Sequence, residues 1–278
     1  MNIIRILTLT AVLTVWCGCS GEKGKAAGSK VVSLSPAATE IVLALDGKPA
    51  LAGRSSACTM SRAAGIPVVG DMGLPFAEPV LSSGAQTVLT DSVAPSLAWM
   101  QLEKCGMKKV VLPGNKLDDL PSNIRTVGEI IGKQPQAEKL AGKLSQHICQ
   151  LRRQVPVQQK RALVVISLPP VVSCGADSFI HEALLLAGAE NIAAGAGKGY
   201  FAVSTEFICH TDPEVIISFL PPGMTEKYFS RNEFRNMTAV RNRQIFYPDP
   251  DKFCRLAPQL PAEISKLKSL LAGDIRQK

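Results

Sequence analysis

The side chains best suited to chemistry in this 278-residue chain are eight cysteines and three histidines, and their spacing decides which reactions stay open. Cys17 and Cys19 crowd the N-terminus, leaving Cys58, Cys105, Cys149, Cys174, Cys209 and Cys254 along the rest. A zinc or manganese site needs ligands that converge on one point. No Cys-x-x-Cys pair follows residue 19, and His147, His181 and His210 fall on separate elements, so such a site is not expected. Nucleophilic catalysis needs a base aimed at its nucleophile. Cys209 and His210 are direct neighbours and would point apart on either a helix or a strand. No Gly-x-Ser-x-Gly elbow, His-Glu-x-x-His pair or phosphate loop is present. The six later cysteines could form disulfides in an oxidising compartment, in several pairings, or stay as buried thiols. Binding without turnover fits these residues better than catalysis.

Those side chains must be positioned by a chain that begins "MNIIRILTLTAVLTVWCGCS", one early positive charge, Arg5, before an uncharged apolar run ending in small residues. This is an export signal over residues 1–18. The run Ile6 to Trp16 is shorter than the roughly 20 apolar residues that a spanning helix needs. "WCGCS" resembles a bacterial lipobox, which would make Cys19 the diacylated N-terminus and fix the protein to a membrane by lipid; a plain signal peptide is the alternative. Gly21 to Lys30, rich in Gly, Lys, Ala and Ser, reads as a flexible continuation, so residues 19–30 form a lipidated tether. Removing residues 1–18 takes away Arg5 and no acid, lowering the formal charge from +8 to +7. The basic residues are scattered without interleaved aromatics, which argues against nucleic acid.

Beyond the tether, short apolar runs alternate with helical patterns, as in β-α units around mainly parallel sheets. Strands are expected near Val31 to Leu34, Ala50 to Gly53, Thr87 to Thr90, Lys109 to Leu112, and in "RALVVISL", "EVIISFL" and "RQIFYP". Helices are expected from Ser35, near Glu78, near Ala94, in "SFIHEALLLAGAENI" and in "PAEISKLKSLLAG". The pattern occurs twice, which implies two α/β lobes, residues 31–134 and 157–278. Between them, 135–156 would be a bridge. Ala137, Leu140, Ala141, Leu144, Ile148 and Leu151 are spaced as one helical stripe, and a helix over 135–154 would be about 30 Å long. An ordinary packing helix inside one large domain is the alternative.

In "KVVSLSPAATEIVLAL" the period changes at Ser35-Pro36, a good N-cap followed by a residue suited to the first helical position. A helix N-terminus at the carboxyl edge of a parallel sheet points free N–H groups into the crevice where ligands bind. Glu78 and Glu206 each stand in the first turn of a helix, where a carboxylate stabilises the macrodipole by about 0.3–1 kcal/mol without any partner.

"VVSLSPAATEIVLALDGKPALAGRSSAC" and "IPVVGDMGLPFAEPVLSSGAQTVLT", with "SFIHEALLLAGAENI", "VSTEFICHTDPEVII" and "IFYPDPDKFCRLAPQLPAEI", resemble the substrate-binding proteins of ABC importers for cobalamin and ferric siderophores. The likeness to the cobalamin-binding members is the nearest. The resemblance implies two Rossmann-like lobes with mainly parallel sheets bridged by one long α-helix, a class III periplasmic binding protein that needs no cofactor and does no chemistry. It implies a monomeric lipoprotein, periplasmic or at the cell surface, that captures a corrinoid between its lobes and delivers it to a permease and its ATPase. A ferric-siderophore or haem receptor of the same fold is one alternative, and a surface scavenger without its own permease is another.

By the same resemblance, Ser35, Pro36, Ala57 and Arg255 line the cleft, the arginine in reach of an anionic group. Tyr200 and Phe201 stand where a tryptophan is common, to stack on the ligand or to pack in the core. Glu78 and Glu206 would meet arginines of the permease, fixing orientation more than adding affinity. The chain departs from the cobalamin-binding pattern at "SSACTMSRAAG", where aromatic residues are usual.

Overall fold

Val31, Val32 and Leu34 are fully buried, and the strand they begin is central to the first of two main sheets. The computed structural model describes residues 28–91 and 94–274, so the expected export signal, Cys19 and the part of the expected tether before Gly28 lie outside the described residues. Gly28–Lys30 is not free chain: the Ser29 amide donates to the Ile130 carbonyl at 3.1 Å.

The first lobe holds β1 (Val31–Ser33), β2 (Leu51–Ser55), β3 (Val68–Asp71), β4 (Leu74–Pro75), β5 (Thr87–Thr90) and β6 (Lys108–Val111). Their order is β4-β3-β2-β1-β5-β6, parallel except for the β4 edge. Strands covered on both faces need continuous apolar runs, and β1 and β5 are buried at every residue. The second lobe holds β7 (Lys160–Val165), β8 (Val171–Cys174), β9 (Ala189–Asn191), β10 (Tyr200–Val203), β11 (Val215–Ser218) and β12 (Ile245–Phe246). Here β12-β11-β7-β9 form a parallel sheet, while β8 and β10 make a separate antiparallel pair.

The bridging helix spans Gln134–Arg153 and buries Ala137, Ala141, Leu144, Ile148 and Leu151. Leu140 of the expected stripe is only partly buried. The helix packs along Asp119–Ile130, where the contact is so close that a Cβ on Gly128 would lie 2.2 Å from that of Ala137. On its other side His147 Nε2 lies 3.0 Å from Ser265 Oγ of the closing helix Leu260–Ala272. Its stripe therefore belongs to one apolar core that runs from Val31, Ile41 and Ile124 through Leu144 and Ile148 to Phe179, Leu184 and Ile264. The outer face of each sheet has a core of its own, around Trp99 and Leu102 in the first lobe and around Phe229 and Phe234 in the second.

The expected helix over "SFIHEALLLAGAENI" stops at Ala187. Gly188 adopts φ +89, a left-handed cap open to glycine, and the chain continues as β9. The helix Asp119–Ile130 and strands β3, β4, β8 and β10 are elements that the sequence pattern did not foretell.

Candidate functional site

A cleft of about 530 Å³ lies between the lobes, and the first lobe contributes to it by one rule. Each parallel strand ends there: Ser35 and Pro36 follow β1, Ala57 follows β2, Met72 follows β3, Asp91 follows β5 and Asn115 follows β6. The second lobe supplies Phe179, Tyr200, Cys254 and Arg255.

The Ser35 turn is held from several sides. Its hydroxyl accepts from the Ala38 amide at 3.4 Å and donates to Asp91 Oδ2 at 2.7 Å. Beneath it, Ser33 Oγ donates to the Ser35 carbonyl at 3.0 Å, Thr39 Oγ1 donates to Ser33 Oγ at 2.8 Å, and Cys58 Sγ lies 3.1 Å from Thr39. Burial pushes the Cys58 thiol up, so it stays a neutral member of this network. Pro36 has no N–H to donate, which leaves the Ala37 amide as the helix-start donor on the cleft wall. Ala57 presents a small wall beside Ser55, whose Oγ accepts from the Ala57 amide at 3.1 Å. Met72, 61% exposed, forms the rim.

Tyr200 and Phe201 are adjacent on β10 and so face opposite ways. Tyr200 lines the cleft. Phe201 packs on the second lobe's outer core, its ring so close to Gly197 that a Cβ there would lie 2.7 Å from it. Tyr200 as a residue is 55% exposed, yet desolvation, with Cys174, Cys254 and Asp177 nearby, pushes its phenol up to about 12. It stays protonated, a donor rather than a phenolate.

Arg255 reaches the cleft already engaged. Its Nη1 donates to Glu40 Oε1 at 2.8 Å and its Nη2 to Asp251 Oδ1 at 2.6 Å. Burial raises the Glu40 carboxyl against the opposing pull of Arg255. The charged groups of the described lining are Asp91, Asp251 and Arg255, so its formal charge is negative before Glu40 is counted. Asp91, Met72, Cys254, Asp251 and Phe179 were not foreseen. Asp91 could have been, because it follows the expected strand β5 at the same sheet edge as Ser35, whereas Met72 follows β3, a strand the sequence pattern does not disclose.

Glu78 and Glu206 lie away from the cleft, exposed, one on each lobe. Glu206 sits over its own helix start, where its backbone amide and the Ser204 hydroxyl hold its carboxyl below the usual range. The Glu78 helix has no side-chain cap; Leu81 is exposed on it, and Phe76 and Leu74 are exposed just before it in the chain. Cys58, Cys105, Cys149, Cys174, Cys209 and Cys254 are all free thiols. Among the described residues, no group of three or more His, Cys, Asp and Glu could hold a metal ion. No helix among them is long and apolar enough to cross a membrane.

Two lobes joined through a long helix, with a cleft at the strand ends, have the architecture of a protein that binds a ligand between its lobes. The profile of the periplasmic binding protein family matches residues 31–252, and the chain belongs to that family, with the class III architecture and the role of substrate-binding component of an ABC transporter. An uncharacterised ABC transporter substrate-binding lipoprotein of Bacillus subtilis, YvrC, is 24% identical, the match covering 88% of this chain and 80% of the relative. The solved periplasmic heme binding protein HutB of Vibrio cholerae superposes with a TM-score of 0.77 at 21% identity, over 87% of this chain and 98% of its own. The periplasmic vitamin B12 binding protein BtuF of Vibrio cholerae also gives 0.77 at 21%, over 90% and 99%. At such identities the two structures establish the fold, and they weigh equally on the ligand.

Proposed function

We propose that this chain captures a corrinoid in the cleft between lobes 31–134 and 157–278 and delivers it to an ABC permease. The observation that carries this reading is the charge of the lining. Two carboxylates, Asp91 and Asp251, accompany one guanidinium, and that guanidinium is already shared between Asp251 and Glu40. A haem brings two carboxylates and a ferric catecholate a high negative charge, which this lining would leave unpaired in a partly desolvated site. A corrinoid is edged with uncharged amides and is neutral or cationic. Ser35, Asp91 and Asn115 offer donors and acceptors to amides, while Tyr200, Met72 and Phe179 offer apolar surface to the ring.

The test is titration of the purified protein with cobinamide, cobalamin, haem and a ferric catecholate. Saturable binding is expected for a corrinoid. Tighter binding of haem or of the catecholate overturns the reading. Haem is the second reading because Tyr200 places a phenol in the cleft, within the chemistry of iron ligands; a charge-transfer band lost in Tyr200→Phe would favour it.

Glu78 and Glu206 serve in this reading as permease contacts, one on each lobe. Cys19 serves as the lipid anchor, for which the mass of the processed N-terminus is the check.

A further inference from the structure

Glu40 belongs to the motif that identified the cleft wall, yet it does not line the cleft. It leaves the far side of the helix Pro36–Ala44 and meets Arg255, 215 residues away in the second lobe, at 2.8 Å. The pair is well shielded, with side chains 11% and 15% exposed. Behind it lies a second cavity of about 540 Å³, bounded by Glu40, Arg62, Asp249 and Lys252 and sharing only Asp251 and Arg255 with the cleft. The ion pair therefore stands as a partition between two spaces and as a tie between two lobes.

A further polar tie between the lobes sits beside the bridging helix. Glu182 accepts from the Leu117 amide at 2.9 Å and from Arg152 at 2.6 Å, the arginine being 40% exposed. Water screens an exposed pair of this kind, whereas a shielded pair that loses one member leaves the other charge desolvated. Asp251 cannot replace Glu40 as anchor, because its side chain is 64% exposed and lies on the same lobe as Arg255, four residues before it. Without Glu40, no other described residue of the first lobe bonds or pairs with the guanidinium.

We propose that Glu40 is a positioning residue for ligand capture: by holding Arg255 in the partition it sets the spacing of the lobes and closes the rear of the cleft. The part that concerns capture rests on the cleft being the ligand site. The part that concerns the lobes does not.

The test uses the ligand-free protein and cobinamide as probe, with Glu40→Ala, Glu40→Gln and the charge-swapped pair Glu40→Arg with Arg255→Glu. Hydrogen exchange of ligand-free Glu40→Ala should rise together in two segments on opposite lobes, 36–44 and 250–256. Glu40→Gln, which keeps volume and an acceptor, should show the same change to a smaller degree, and it is read alone if Glu40→Ala does not fold. The swapped pair should recover most of the protection, which loss of packing alone would not allow. Cobinamide binding by Glu40→Ala should weaken roughly tenfold, mainly through faster dissociation. Exchange confined to 36–44, or no recovery on swapping, overturns the latch. Coupled exchange in a protein whose wild type binds no corrinoid leaves the latch standing and overturns the corrinoid reading.

Discussion

The two lobes face one cleft with different materials. The first offers the ends of five parallel strands, carrying small or polar groups around a capped helix start. The second offers its bulk through irregular routes, Tyr200 from the antiparallel β8–β10 pair and Arg255 from the segment after β12. The first lobe thus contributes a floor set by sheet geometry, and in the proposed reading the second carries the groups that would discriminate between ligands. The outer faces differ in the opposite sense. Exposed apolar residues away from the cleft gather in the first lobe, at Val68, Leu74, Phe76, Leu81, Leu97, Met100 and Val111, whereas the second exposes Val157 and Met224.

The comparison can be broken most severely at the outer faces. Reversing both Glu78 and Glu206 to lysine should abolish corrinoid uptake in cells while leaving cobinamide affinity unchanged. The single Glu78→Lys change should cost more uptake than Glu206→Lys, since exposed Phe76 and Leu81 lie within three residues of Glu78 and contact there would bury them. Loss of ligand binding in the purified double variant would show the two residues to be structural.

Next in size is the core that the lobes share. Ile148→Ala should cost about 2–5 kcal/mol in urea unfolding, with fluorescence and circular dichroism following one transition. Two separated transitions would mean that the lobes are independent after all.

Smaller still is the contrast on β10. Tyr200→Ala should weaken cobinamide binding by about 0.5–1.5 kcal/mol beyond the lost area, while Phe201→Leu lowers stability and leaves affinity alone. The reverse result would mean that the strand register is wrong.

The smallest effect is one of sign. Glu40 is raised from its ordinary 4.5, so it favours the fold most in its protonated form, and that contribution fades as pH rises from 4.5 through the raised value. Glu206 is lowered, so its contribution is present above 4.5 and disappears as pH falls through the lowered value. Stability measured against Glu40→Gln and Glu206→Gln should therefore move in opposite directions on acidification.

What the sequence disclosed follows the same division. β1, β5, β7 and β11 were legible because sheets covered on both faces demand unbroken apolar runs. The helix Asp119–Ile130 was hidden by Pro121, Asn123 and Gly128, residues that weaken any helical pattern, and Gly128 is present because Ala137 leaves no room for a side chain. β8 and β10 were hidden because Tyr200 and Phe201 are both aromatic, so the strand does not alternate polar with apolar. Ser35, Pro36 and Ala57 came together in the cleft because strand ends do. The engagement of Arg255 was invisible, since its partner is fixed only by the closing of two lobes.

The continuous core through Leu144 and Ile148 also governs what a damaged copy of this receptor can be. A chain whose halves melted separately would yield a half-folded form, and under the proposed docking such a form would still present one outer glutamate to an importer without cargo. With one interior common to both halves, such a decoy has little existence. If the single transition expected for Ile148→Ala holds, each copy is either folded throughout or wholly unravelled, and the unravelled form is the one open to proteases.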